Sequence, residues 1–327
     1  MHSPSDEKPH TERWAYRKLY TSDVLTFATS MYPVFRRLGF QAVSRAVAWI
    51  YAVTQPAVRR IVRDNLALLQ KEPVTDRDAV RVFVNYGATM ADYVAVGAMP
   101  MHEAVALCEI REGIEHLAAA RAGGKGVILA TGHFSFFEFG SAVLGSMGHQ
   151  VTIATLPEPT DGLTEWRANW RARWGTKTVP IGTDPFSSLH VIRAIENGDC
   201  MAMLADRPIG ERGVPIELPN GRIFFSTSPA LLAWMTGCQI LPVVVTRLPG
   251  GSYRLTAKPP VTIQRDSGLG RDAEIERCTR DVAASLFEEI RRAPHQWYQF
   301  VPVGIPEGDL KSARRDSNPH GISTSRF

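Results

Sequence analysis

Over the first hundred residues apolar side chains recur every three or four positions, as in AVRRIVRDNLALL at 57–69 and DAVRVFVNYGATMADYVAV at 78–96. That interval puts them on one face of a helix, so residues 20–100 are expected to be helical, with Asp76 capping the second of these stretches. From about residue 105 the pattern changes. Short apolar runs alternate with helical periods. Strands are expected at 126–131 (GVILAT), 150–155, 177–181, 200–205, 240–246 and 252–258, and helices at 114–122, 137–147, 162–174, 185–197 and 228–236. Such alternation predicts an α/β fold with a mostly parallel central sheet, right-handed crossovers and flanking helices. Leu248-Pro249-Gly250-Gly251 is a turn signal, so the last two strands are expected to form a hairpin. One more helix is expected at 271–293. The chain divides into a polar segment at 1–22, a helical region at 23–104, an α/β domain at 105–305 and a polar tail at 306–327, the tail expected to be disordered.

Three uncharged stretches raise the question of a membrane. Val24 to Phe35 is closed by Arg36-Arg37, and Ala46 to Val58 is interrupted by Gln55-Pro56. Both fall short of the roughly 20 residues that a spanning helix needs. They can lie on a membrane without crossing it, or pack on the rest of the protein. Ile223 to Thr246 is long enough, but it is punctuated. Ser228 and Pro229 read as a helix start, Gly237 as its end, and the β-branched run at 240–246 as a buried strand. Residues 1–22 lack the apolar core of a signal peptide.

Composition narrows the class only modestly. Lys and Arg number 37 against 33 Asp and Glu, a net charge of +4, with 44% apolar residues, which places the chain among ordinary globular proteins. So small an excess does not indicate nucleic acid; it suits an anionic membrane face or an acidic protein partner. Cys108, Cys200, Cys238 and Cys278 are scattered without a CxxC pair, so neither a zinc site nor a disulfide framework is suggested, and a reducing compartment is the simplest setting. GxSxG, HExxH, a Walker loop and GxGxxG are all absent.

The chemistry concentrates in GVILATGHFSFFEFGSAVL. A buried strand ends at Thr131-Gly132, His133 follows in the turn, and Glu138 comes five residues later where a helix begins. Functional groups of open α/β sheets gather beyond the carboxyl ends of strands, where His133 falls. On one ideal helix the two residues would be about 140° apart. With His133 in the loop and Glu138 in the first helical turn they can converge. A carboxylate on one imidazole nitrogen then fixes the tautomer, and the other nitrogen can take a proton from a hydroxyl.

With these residues in view, ATGHFSFFEFG resembles the TGHxxxxE signature of the bacterial lipid A biosynthesis acyltransferases, within the wider lysophospholipid acyltransferase-like superfamily. GIEHLAAARAGGKGVIL, the block MAMLADRPIGERGVPIELPNGRIFFSTSPALLAWMTGCQILPVVV and HQWYQF are similar in order and spacing to that family's other segments. The resemblance implies a glycerolipid acyltransferase-like fold with an N-terminal membrane-associating region. It implies transfer of a fatty acyl group from acyl carrier protein to a hydroxyl of a membrane glycolipid, at the cytoplasmic face of the inner membrane, with no metal, no cofactor and no covalent acyl-enzyme. It makes His133 the catalytic base and Glu138 its carboxylate partner. Two departures, SFFE after the histidine and ADRP around Asp206, leave other acceptors open: a lysophospholipid, an amino-acid lipid or another glycolipid. A catalytically silent lipid- or carrier-binding protein and a thioester hydrolase are the rivals from other classes.

Further residues are candidates for binding. In DGLTEWRANWRARWG, Trp166, Trp170 and Trp174 recur every four residues, as do Arg167 and Arg171. Trp with Arg suits a membrane interface, and Arg binds phosphate bidentately; the alternative is an amphipathic helix with its tryptophans turned inward. The resemblance puts a required arginine near Arg171, with Arg167 the other possible register. Backbone N–H groups near the turn, with Arg171, are expected to stabilise the oxyanion. Asp206 follows strand 200–205 on the same sheet edge, flanked by Arg207 and Arg212, and is read as orienting an arginine or the acceptor, or as a cap. Ser226, Thr227 and Ser228 precede a helix and can meet an anionic group or cap it. His116, His149 and His190 have no carboxylate at motif spacing, and His295, in the HQWYQF segment, is read as structural. The acyl chain is expected between the N-terminal helices and the sheet, and the acidic carrier against Arg36, Arg37, Arg59 and Arg60.

Overall fold

The computed structural model describes residues 21–306 apart from 159, 182–186, 209–212 and 267. The ends of the chain, Arg212 and part of the helical pattern at 185–197 therefore lie outside the described residues. The N-terminal region comprises α1 (Ser22–Ser30), α2 (Tyr32–Thr54), α3 (Pro56–Leu69), α4 (Asp76–Ala98) and the short α5 (Met101–Ala106). Thr75, not Asp76, caps α4: its hydroxyl accepts from the Asp78 N–H while the Asp78 carboxylate accepts from the Thr75 N–H, a reciprocal box that satisfies two otherwise orphaned donors. Asp76 falls in the first turn, where its charge favours the helix N-terminus.

α4 is the pillar of the molecule. It packs along α2, and Gly87 makes the approach possible, because a Cβ there would lie 2.5 Å from the Ser44 carbonyl oxygen. Its buried face carries Thr89, Asp92 and Tyr93 toward the sheet edge.

The remainder runs β1 (Cys108–Glu112), α6 (Ile114–Arg121), β2 (Val127–Thr131), α7 (Phe139–Ser146), β3 (Val151–Thr155), α8 (Asp161–Ala172), β4 (Lys177–Pro180), α9 (Ser187–Glu196), β5 (Cys200–Leu204), β6 (Gly213–Leu218), β7 (Gly221–Ser226), α10 (Ser228–Thr236), β8 (Gln239–Arg247), β9 (Tyr253–Ala257), α11 (Arg271–Arg292), a 3-10 turn at Pro294–Gln296 and β10 (Gly304–Pro306). Seven strands form one sheet in the order β1-β9-β8-β2-β5-β3-β4. β8, β2, β5, β3 and β4 are mutually parallel, and β9 returns antiparallel from β8 as the expected hairpin.

The sheet is buried on both faces because its strands alternate between two apolar layers. Ile128, Ala130, Met201, Ile240 and Val244 face one layer with α4, α10 and α11; Val127, Leu129, Cys200, Leu241 and Val245 face the other with α6, α7 and α8. Among the described residues the elements not expected are α5, β1, the pair β6–β7, and β10, which joins that pair in a separate antiparallel sheet. The uncharged run 223–246 accordingly starts in β7, and it then follows the expected helix, turn and strand, with Gly237 at φ 72° ending α10. No described helix is long and apolar enough to cross a membrane. The four cysteines are buried and unbridged.

Candidate active site

β2, β5 and β8 are neighbours pointing the same way, so the residues just past their ends share one edge. His133 follows β2, Asp206 follows β5, and Arg247 closes β8. The loop carrying His133 is fixed from both sides. Phe134 is buried in one apolar layer and Phe136 in the other. The segment after α11 lies across it: Phe134 bridges Trp297, the Tyr298 N–H donates to the His133 carbonyl at 2.8 Å, and the Ser135 N–H donates to the Gln296 carbonyl at 2.7 Å. Between these anchors Ser135 takes a left-handed backbone, φ 49°, a conformation that costs a non-glycine residue of order 1–3 kcal/mol. Such strain survives only where surrounding contacts over-determine it.

The imidazole's carboxylate is Asp206. His133 Nδ1 lies 2.7 Å from Asp206 Oδ1, and the His133 backbone N–H donates to Oδ2 at 2.8 Å. Oδ2 also accepts from the Trp297 indole at 3.0 Å and from the Gln299 amide at 2.7 Å. Arg207 sits behind, its Nε donating to Gln299 Oε1 at 2.6 Å. Burial pushes the Asp206 carboxyl up, but the His133 imidazole, its hydrogen bonds and Arg207 outweigh that and hold it well below the ordinary carboxylate range. An ionised Asp206 can only accept, so Nδ1 carries the proton and Nε2 carries the lone pair. Gly132 allows this approach: a Cβ there would stand 3.0 Å from Asp206 Oδ2. The His133 side chain is 26% exposed while that of Asp206 is fully buried. The ring thus reaches the surface and its support does not.

Glu138 points elsewhere, and this corrects the pairing expected from the motif. Glu138 Oε1 accepts from Arg171 Nη2 at 2.5 Å and faces Arg167 Nη2 at 3.4 Å, while Oε2 accepts from the Tyr93 hydroxyl. Burial raises this carboxyl as well, and Arg167, Arg171 and Tyr93 more than reverse it, so Glu138 is also held far below its usual range. The reason for the divergence is local. Glu138 is the residue before α7, already in helical conformation, and the SFF turn rotates its side chain toward α8 and α4 instead of back along the loop.

The tryptophans of α8 and of the turn after it serve the same corner. Trp170 and Trp174 are buried, so the interfacial reading of them is overturned in favour of inward packing. Trp170 stacks on Tyr93 at 4.3 Å between ring centres and donates its indole N–H to the Tyr93 carbonyl at 3.1 Å. Arg171 turns inward with them and is buried. Trp166 stays half-buried and also stacks on Tyr93, and Arg167 pairs with Glu158 as well. The side chains of Glu138, Arg171 and Tyr93 thus form a sealed cluster next to the His133 loop.

Of the other candidates, Ser228 does not cap α10. Thr227 precedes the helix without a side-chain cap, and the Ser228 N–H goes to Ser226 Oγ at 3.2 Å. The Ser226 N–H donates to the Ala205 carbonyl at 2.9 Å, which docks this turn beside Asp206. His295 binds Asp78 at 3.2 Å, and His149 binds Arg121 at 2.9 Å. No described group of three or more His, Cys, Asp or Glu residues is arranged to hold a metal. Sequence reasoning missed Tyr93, Trp297 and Gln299. Only the resemblance of HQWYQF marked the last two, and nothing in their spacing to His133 announces a contact.

Fold and site together define an α/β protein with a carboxylate-supported histidine at the carboxyl edge of a parallel sheet. The sequence model of the bacterial lipid A biosynthesis acyltransferases matches residues 19–302, and the chain belongs to that family. No curated protein matched the chain. Membership supports an acyltransferase acting on a lipid A-like substrate.

Proposed function

We propose that the protein transfers a fatty acyl group from the thioester of an acyl carrier protein to a hydroxyl of a membrane glycolipid, with His133 as general base. The observation carrying this reading is the His133 imidazole, held on Nδ1 by a buried, ionised Asp206 and exposed at the sheet edge. Nε2 takes the proton as the acceptor oxygen attacks the thioester carbon. The C–O bond forms, the C–S bond breaks, and the departing thiolate recovers the proton from the imidazolium. General-base help of this kind is worth roughly 10²–10⁴ in rate. Asp206 acts through the ring, as a positioning residue. Glu138 acts one step further out, by locking the loop to α4 and α8.

Several observations support the partners. α1 and α2 expose Phe27, Val34, Phe35, Leu38, Trp49 and Ile50, a surface suited to lying on the cytoplasmic face of an inner membrane. Arg36 and Arg60 are exposed and can meet an acidic carrier, whereas Arg37 is committed to Asp92 and Arg59 to Asp76. The test is acyl transfer by His133→Ala, followed by mass spectrometry with acyl carrier protein as donor and a lipid A precursor as acceptor. Loss of transfer with folding intact is expected. Wild-type rates in the variant would remove the mechanism, and turnover of the thioester without any acceptor would reassign the protein as a hydrolase.

A further inference from the structure

β8 outlasts its neighbour. Its register with β2 runs from the pair Val127 and Gln239 to the pair Ala130 and Pro242, and β2 ends at Thr131, where the chain turns off into the His133 loop. Beyond Pro242, β9 continues along one side of β8 as far as the pair Arg247 and Tyr253, and no described strand continues along the other. That other side is left with backbone donors and acceptors in need of partners. A buried one without a partner costs about as much as a lost hydrogen bond.

Gln296 supplies the partner at Arg247. Its Oε1 accepts the Arg247 N–H at 2.9 Å, and its Nε2 donates to the Arg247 carbonyl at 2.8 Å. A side-chain amide offers an acceptor and a donor as a peptide unit does, so Gln296 pairs with the strand end as a neighbouring strand would. The backbone carbonyl of the same residue accepts the Ser135 N–H at 2.7 Å, and its backbone N–H donates to the Ala293 carbonyl at 2.9 Å in the turn after α11. One residue thus joins the end of β8 to the loop at its strained position.

The strand end that Gln296 grips is itself firm. Arg247 Nε faces Asp92 Oδ2 at 3.4 Å, and the Tyr253 hydroxyl donates to that oxygen at 2.5 Å. Asp92 is fully buried on α4 and also accepts from Arg37 Nε and from Gln41 of α2, each at 2.7 Å. On its other flank the loop is held by Asp206, which accepts the His133 N–H at 2.8 Å.

We infer that Gln296 is a positioning residue for His133: its side-chain amide stands in for the missing strand beside Arg247, fixes the loop backbone at Ser135, and through it sets the direction of the imidazole. This rests on the acyl-transfer reading for what the imidazole does, and not for how the loop is held. Asp206 orients the ring by bonding to it; Gln296 acts on the backbone that carries the ring.

Hydrogen exchange and kinetics test the two halves separately. In the wild type the Ser135 and Arg247 amides are expected to open together, with protection equal within about threefold. Gln296→Met keeps the length of the side chain and removes both of its hydrogen bonds. In that variant the Ser135 amide, whose own acceptor is untouched, is expected to exchange at least about tenfold faster. The kcat for acyl transfer should fall at least about tenfold with KM unchanged within about twofold, as when a reacting group is misplaced and binding surface is kept. Gln150→Met breaks comparable side-chain bonds, to the Val151 and Gly175 carbonyls, at the opposite edge of the sheet, and should alter neither reading. Unchanged Ser135 protection in Gln296→Met, a loss that appears in KM with kcat intact, or equal effects from Gln150→Met would overturn the assignment. Free exchange of the Ser135 amide beside a protected Arg247 in the wild type would overturn it without any variant. Transfer absent from the wild type would count against the acyl-transfer reading alone, because the exchange comparison requires no turnover.

Discussion

Asp206 and Glu138 are buried carboxylates on either side of one loop, and both are held ionised well below their usual range. They differ in what they hold. Asp206 faces an imidazole that reaches the surface, together with neutral donors from Trp297 and Gln299. Glu138 faces two guanidinium groups and a tyrosine, and the Arg171 side chain is as buried as its own. An imidazole can change charge near neutral pH, and a guanidinium cannot. The first carboxylate therefore orients a proton acceptor; the second neutralises fixed charge and holds the loop in place.

The largest effect that separates them is expected from Asp206→Asn. The amide cannot fix the tautomer with a proton on Nδ1, so kcat should fall by roughly 10³–10⁴ with a modest change in KM, as loss of the orienting carboxylate does in histidine-based triads. The single-turnover rate and its pH profile check this. A loss below about tenfold would leave Asp206 as a prop for Trp297 and Gln299 only.

Glu138→Gln is expected to act through stability instead. Removing one partner of a buried ion pair costs about 3–5 kcal/mol because the other charge stays behind. Thermal melting should drop sharply, and the activity of the remaining folded protein should keep the wild-type pH profile. A profile displaced by the substitution would return Glu138 to the imidazole. Glu138→Leu with Arg171→Met, which removes both charges, should recover part of the lost stability.

Gly132→Ala probes the contact between loop and carboxylate directly. Its Cβ must displace Asp206 Oδ2 or Cγ, at 3.0 and 3.2 Å. A shift of that size at a catalytic contact predicts a fall in kcat of about tenfold or more.

How much of this was readable in the chain depends on the range of the contact. All six expected strands and the helices between them were found because periodicity is local. The edge strand β1 and the hairpin β6–β7 were missed: CEIRE carries charge, and GVPIEL and GRIFFS mix polar and apolar residues, which weakens the alternation. His133 was placed correctly at the end of a buried strand. Its partner was not, because five residues of sequence separation looked nearer than the 73 to Asp206. Only the strand order, with β5 beside β2, brings Asp206 to the imidazole. The reading of Trp170 and Trp174 failed for a similar reason: Trp with Arg at a four-residue interval suits an interface and a buried corner alike, and Tyr93, which decides between them, lies on another helix.

The smallest expected effect lies in acid stability. Both carboxylates have folded pKa values below their unfolded ones, so each contributes stability that is complete above about pH 5 and is lost as the pH falls through its folded value. For Asp206 the strongest favourable influence is His133; for Glu138 it is the arginines. Replacing His133 with Gln removes that influence from Asp206 alone, raises its folded pKa, and should move the acid-unfolding midpoint upward by a few tenths of a pH unit. The same substitution should leave the contribution of Glu138 in place, so the shift should persist in full when Glu138 and Arg171 are both replaced by apolar residues. Circular dichroism between pH 6 and pH 2 measures it. A midpoint that does not move in His133→Gln would mean that Trp297 and Gln299 hold the Asp206 charge by themselves, and that imidazole and carboxylate are neighbours without being coupled.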